Sequence, residues 1–176
     1  MNRDWYLLFL ALTLALVGAI IDIQKHRIPN WLTYPGIVLG FGLRALLFGW
    51  KGLLSALAGC LLAGGIMFLF YMVRAMGAGD VKLMAAIGAV VGPSQVTGVL
   101  LATAIFGGLL AIAYALYRRR MISTLKNVGS VLRFHAWAGA QAHPELNLDN
   151  PSALRMPYGL AIALGTLYAF VTVWWR

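Results

Sequence analysis

The sequence predicts an all-α membrane protein of six transmembrane helices, and three observations carry that prediction. Of the 176 residues, 61% are hydrophobic and 11% charged, with a mean hydropathy of +0.82. A soluble domain has roughly 45–50% apolar and about 25% charged residues, so too little polar surface remains here to cover the apolar mass in water. The apolar residues fall into runs, most of them long enough to cross a hydrocarbon core roughly 30 Å thick. The basic residues gather on one side of those runs.

Taken in order, the runs cover residues 5–21, 31–49, 53–73, 81–91, 96–117 and 158–175. The first has the length of a signal peptide, with Val17-Gly18-Ala19 as a small-residue cleavage site. Arg3 and Asp4 cancel in its leading segment, however, so the positive leader is missing and the run is read as a retained first span. The fourth is short: it crosses fully only if residues 77–80 lie within the membrane thickness or the bilayer thins there. Trp5, Trp31, Trp50, Trp174 and Trp175 all fall at run ends, where an interfacial aromatic belt places them.

Fourteen Lys and Arg against five Asp and Glu leave a formal charge of +9. In a membrane protein such residues accumulate in cytoplasmic loops, so the charge does not argue for a nucleic-acid partner, and none is expected. With the N-terminus outside, the inner segments hold ten of the basic residues and the outer ones three (Arg3, Lys51 and Arg176), with Arg44 inside the second run. Both termini are therefore expected outside. The chain reads as one polytopic domain, 1–176, whose largest loop, about 118–156, is cytoplasmic. In that loop Ile122, Leu125, Val128 and Leu132 form a stripe at helical spacing, with Lys126 and Arg133 off it. Such a stripe fits a short basic amphipathic helix on the anionic inner leaflet, or equally a loop helix packed on the spans. Residues 142–152 read as irregular loop.

The chemistry has to come from residues a membrane protein otherwise avoids. Of the acidic residues, Asp4 is terminal, and Glu145 and Asp149 lie in the polar loop. Asp22 and Asp80 remain, each at the inner edge of an apolar run. An ionisable group at membrane depth costs at least ~2.5 kcal/mol on insertion scales and marks function by default. Asp22 alone would also suit a snorkelling residue beside Lys25 and Arg27. Asp80 follows Gly77-Ala78-Gly79, where two glycines free the backbone from helical geometry; a plain N-cap is the simpler reading. The second and third runs carry the chain out and back, so Asp80 returns at the depth of Asp22. Two neighbouring carboxylates share a proton, which provides a base for water and an acid for a peptide carbonyl.

A single cysteine, Cys60, excludes a disulfide scaffold and a thiolate-rich metal site. His26, His135 and His143 lack ligand spacing. No metal and no cofactor is expected. Two other classes use the same features. An ion-coupled transporter would place its aspartates beside broken helices near the midplane, within inverted repeats that are not evident here. A non-catalytic membrane assembly subunit would tolerate loss of both aspartates.

The segment Asp22-Ile23-Gln24-Lys25-His26-Arg27-Ile28-Pro29-Asn30 resembles the first aspartate motif of the type IV prepilin peptidases. Gly77-Ala78-Gly79-Asp80-Val81-Lys82 is similar to the Gly-x-Gly-Asp-x-Lys motif of those same intramembrane aspartyl proteases. Met156-Pro157-Tyr158-Gly159 gives a third, softer match. The resemblance implies a catalytic dyad of Asp22 and Asp80 at the cytoplasmic face. It implies a loop shaped by Gly77 and Gly79, and Lys82 holding that loop or meeting an acidic group of the substrate. Pro29 and Asn30 would end the first turn, and Pro157 and Gly159 border the substrate groove. By the same resemblance the partners are prepilin and pseudopilin precursors, cut after a Gly at the edge of a hydrophobic segment. The host membrane is the bacterial inner membrane. The short form is similar to the enzymes of tight-adherence (Flp-type) pili. The N-terminal segment with a Cys-x-x-Cys zinc motif found in larger members has no counterpart here, so methyltransferase activity is not expected.

Overall fold

The computed structural model describes residues 4–118, 121–139 and 156–175. Those residues form five α-helices and no strand: α1 (Asp4–Lys25), α2 (Asn30–Met72), α3 (Ala78–Tyr117), α4 (Met121–Ala138) and α5 (Tyr158–Trp174). The first three are long and apolar enough to cross a membrane, and α5 is a shorter apolar helix.

At 43 and 40 residues, α2 and α3 are about twice the length a crossing needs. Each contains one break. Gly49 has φ 61° and ψ −145°, and Gly92, followed by Pro93, has φ 77° and ψ 175°. Left-handed φ is open to glycine and strained for other residues. The breaks fall at the ends of the second and fourth apolar runs. At Gly49 the chain folds back on itself, since the Arg44 guanidinium donates to Ser55 Oγ at 2.7 Å across the break. Pairings along the helices give their directions. Gly36 meets Ala86 and Gly40 meets Ala89, so the first run of α2 lies parallel to the first run of α3. Gly59 meets Gly88, and Gly64 meets Ala85, so its second run lies antiparallel. α1 and α5 are antiparallel, with Trp5 on Trp174 (6.2 Å between ring centroids) at one end and Asp22 on Gly159 at the other.

The centre of the molecule is the first run of α3. Leu83, Met84, Ile87, Val90 and Val91 are almost wholly buried there, between α1 and both runs of α2. Fourteen helical residues, 78–91, rise only about 21 Å, short of a bilayer core. Protein surrounds this run, so its ends need not reach lipid. Small residues make the approach possible. A Cβ on either Gly59 or Gly88 would strike the other's backbone, the close contact by which membrane helices associate. Large apolar side chains on the outer faces, among them Leu46, Leu61, Leu101 and Ile105, are exposed, as a chain surrounded by lipid rather than water requires.

One buried charge holds this centre together. Arg44, only 8% exposed, donates from Nε to the Val90 carbonyl at 2.8 Å and from Nη2 to the Val91 carbonyl. These carbonyls precede the break at Gly92, which releases them from helical partners. A cation at the C-terminal end of a helix is also favoured by the helix dipole.

In α4, Lys126, Val128, Arg133 and Trp137 are exposed. Ile122, Leu125 and Leu132, the rest of the expected stripe, have side chains outside the described residues, as does the expected loop 142–152.

Candidate active site

Two turns deliver the aspartates to one end of the bundle. The first ends α1: His26 takes φ 49° and its N–H donates to the Asp22 carbonyl at 2.8 Å, closing the helix. Buried Ile28 follows, and extended Pro29 opens α2. The second turn leaves α2 through Arg74 (φ 59°) and reaches extended Gly77, which opens α3.

Asp22 lies in the last turn of α1 and is 7% exposed. Its Oδ2 accepts the backbone N–H of Gly159 at 2.9 Å. Gly159 is the second residue of α5, so this carboxylate sits on the positive end of another helix. Asp80, partly buried, is the third residue of α3, and its Oδ2 accepts the N–H of Gly77 at 3.2 Å. It is thus the acidic half of a capping box, not the N-cap itself. The two carboxylates are close enough to interact electrostatically. Among the described residues no side-chain or backbone donor reaches the Oδ1 of either. Each carboxylate therefore has one oxygen held by the backbone and one left for water or substrate.

Both line a cleft of about 680 Å³, with Met156 and Tyr158 on its wall and Lys25, His26 and Arg27 at its rim. Of the residues expected to border the groove, Pro157 caps α5 and Gly159 meets Asp22. A Cβ on Gly159 would come within 3.1 Å of Asp22 Cβ and Oδ2, so its smallness is what admits the carboxylate.

The unwinding expected at residues 77–80 is confined to Gly77, whose φ of −80° and ψ of 150° suit any residue. Gly79 is helical, and it serves close approach. A Cβ there would lie 2.9 Å from Ile28 Cβ and 3.2 Å from Ile28 N and O. Lys82 turns to the start of α2, where Nζ donates to Asn30 Oδ1 at 2.9 Å and lies 4.9 Å from the Tyr34 ring centroid. It ties the openings of α2 and α3 together, a partner that the motif alone did not name for Asn30. Tyr158 stood in the third, softer match without a role, and the Gly159 amide escaped sequence reasoning. So did Arg44, although a lone charge inside an apolar run is itself the signal that should have singled it out. No group of three or more His, Cys, Asp or Glu gathers among the described residues. His143 and the side chain of His135 lie outside them.

Fold and cleft together describe an all-helical membrane protein with two carboxylates converging at one end. The type IV leader peptidase family matches residues 8–112, a stretch that contains both aspartates and both turns. The chain belongs to that family, and its kind of function is that of a leader peptidase. Comparison with curated proteins and with solved structures finds no match.

Proposed function

We propose that the chain is an aspartic endopeptidase that removes the leader peptides of type IV or Flp-like prepilins and pseudopilins, cutting after Gly. The observation that carries this reading is the convergence of Asp22 and Asp80, from separate helices, on one cleft. One carboxylate, ionised, takes a proton from water, and the water oxygen bonds to the peptide carbonyl carbon. The other, protonated, gives its proton to the carbonyl oxygen. Collapse of the tetrahedral intermediate breaks the C–N bond and returns a proton to the leaving amine. Two like charges at one site favour sharing a single proton.

The chain is one polytopic domain, 1–176, in the bacterial inner membrane. The breaks at Gly49 and Gly92 make α2 and α3 two crossings each, giving six with α1 and α5. Alternation then puts both aspartates and the 118–156 loop on one face. The basic bias makes that face cytoplasmic and leaves both termini outside.

The test is co-expression with prepilin precursors. Asp22→Asn and Asp80→Asn are each expected to abolish cleavage while the protein stays folded in the membrane, because an amide fills neither role. Near-native cleavage by either variant removes that residue from the mechanism.

A further inference from the structure

Tyr158 opens α5 at the wall of the cleft that holds Asp22 and Asp80. Its ring rests against Gly107 in the second run of α3. A Cβ on Gly107 would come within 3.0 Å of Tyr158 Cε2 and 3.2 Å of its hydroxyl oxygen, so the glycine is the seat of the ring. The next residue, Gly159, donates its N–H to Asp22. The tyrosine is therefore anchored on one side by a helix surface and on the other by the carboxylate it neighbours. Its hydroxyl lies within electrostatic range of Asp80. Among the described residues no hydrogen bond occupies that hydroxyl, and it is not one of the buried polar atoms without a partner. It is accordingly not fully buried, on a side chain that lines the cleft.

We infer that the Tyr158 hydroxyl donates a hydrogen bond to the carbonyl oxygen of the peptide being cut, making Tyr158 a third catalytic residue. This rests on the aspartic-peptidase reading above. As the water oxygen bonds to the carbonyl carbon, the π pair moves onto the carbonyl oxygen, where a fixed donor is worth most. A neutral phenol is such a donor. Its proton stays on the phenol, and the protonated carboxyl supplies the proton that is transferred. Tyr158 thus adds stabilisation without entering the proton count.

The test uses the purified full chain in detergent and a purified prepilin precursor whose leader ends in Gly. Tyr158→Phe is expected to lower kcat by about 100-fold, the scale of losing one oxyanion donor. KM should stay within three-fold, with the thermal midpoint and the shape of the pH profile as in the native protein. Gly107→Ala, which crowds the seat of the ring, is expected to lower kcat about ten-fold with both aspartates in place. A Tyr158→Phe kcat within three-fold of native overturns the inference. So does a rate that recovers at a shifted pH optimum, which would mean the hydroxyl acts through Asp80. If the phenylalanine variant does not fold, native kcat in Gly107→Ala overturns the inference by itself. Asp80→Asn in the same assay separates the two claims. Activity lost there but kept in Tyr158→Phe removes only Tyr158, whereas activity kept in both removes the aspartic mechanism with it.

Discussion

Gly79→Val is the most discriminating perturbation of the site, because it touches no titrating group. The first added carbon would lie 2.9 Å from Ile28 Cβ and 3.2 Å from both Ile28 N and O. Two of these neighbours are backbone, in the short turn between His26 and Pro29, and cannot swing aside as the end of a side chain would. Inserting a bulky side chain into such a contact costs typically 1–3 kcal/mol. The readiest relief is for the start of α3 to move away from the turn, and Asp80 is the next residue. A displacement of about 1 Å at a reacting group lowers the rate on the order of 100-fold. The assay is precursor cleavage in membranes, with thermal unfolding in detergent as its companion. The expected result is a loss of about 100-fold in rate with the protein still folded. Gly77→Ala is the contrast. Its Cβ would meet only Asp80 Oδ2, at 3.3 Å, in a backbone conformation open to any residue, so activity within a few-fold of native is expected. A Gly79→Val enzyme as active as Gly77→Ala would refute the argument that packing on Ile28 positions Asp80.

Gly159→Ala should depress cleavage by roughly 10–100-fold, since its Cβ would fall 3.1 Å from Asp22 Oδ2 and 3.2 Å from Ala19 Cα; an unchanged kcat would release Asp22 from that contact. Arg44→Met should lower stability by roughly 2–3 kcal/mol by leaving the Val90 and Val91 carbonyls unpaired, read as a lower thermal midpoint in detergent; an unmoved midpoint counts against the tether. Reporter fusions after residue 120 should read cytoplasmic and those after residues 51 and 93 outside; a cytoplasmic signal at 51 would overturn the six-crossing topology.

The helices were legible because composition and run length are local properties, and Gly49 and Gly92 fall where the apolar runs end. Asp22 and Asp80 were legible because charge at the edge of an apolar run is rare enough to need a reason. What the chain did not disclose was pairing. The Gly159 amide reaches Asp22 across 137 residues, and an aromatic at the start of an apolar run reads as a membrane anchor before it reads as part of a cleft. Gly79 looked like a source of backbone freedom. Its neighbour Ile28, which turns it into a packing residue, comes from a different turn. Arg44 was visible as a charge, but its acceptors are main-chain carbonyls freed by a break rather than an acid that a sequence search could find.

That arginine also bears on the order in which the protein is made. Its two carbonyl acceptors lie 46 and 47 residues further along the chain. At a synthesis rate of about 5–20 residues per second, they emerge on the order of seconds after Arg44. During that interval the first run of α2 carries a guanidinium, a group that is costly inside the hydrocarbon, before its main-chain acceptors are made, with Ser55 the nearer along the chain of its eventual partners. Its settled place in the membrane therefore depends on the arrival of α3. Truncated nascent chains ending before residue 90 should insert this run less completely than chains ending after it, and Arg44→Leu should erase the difference.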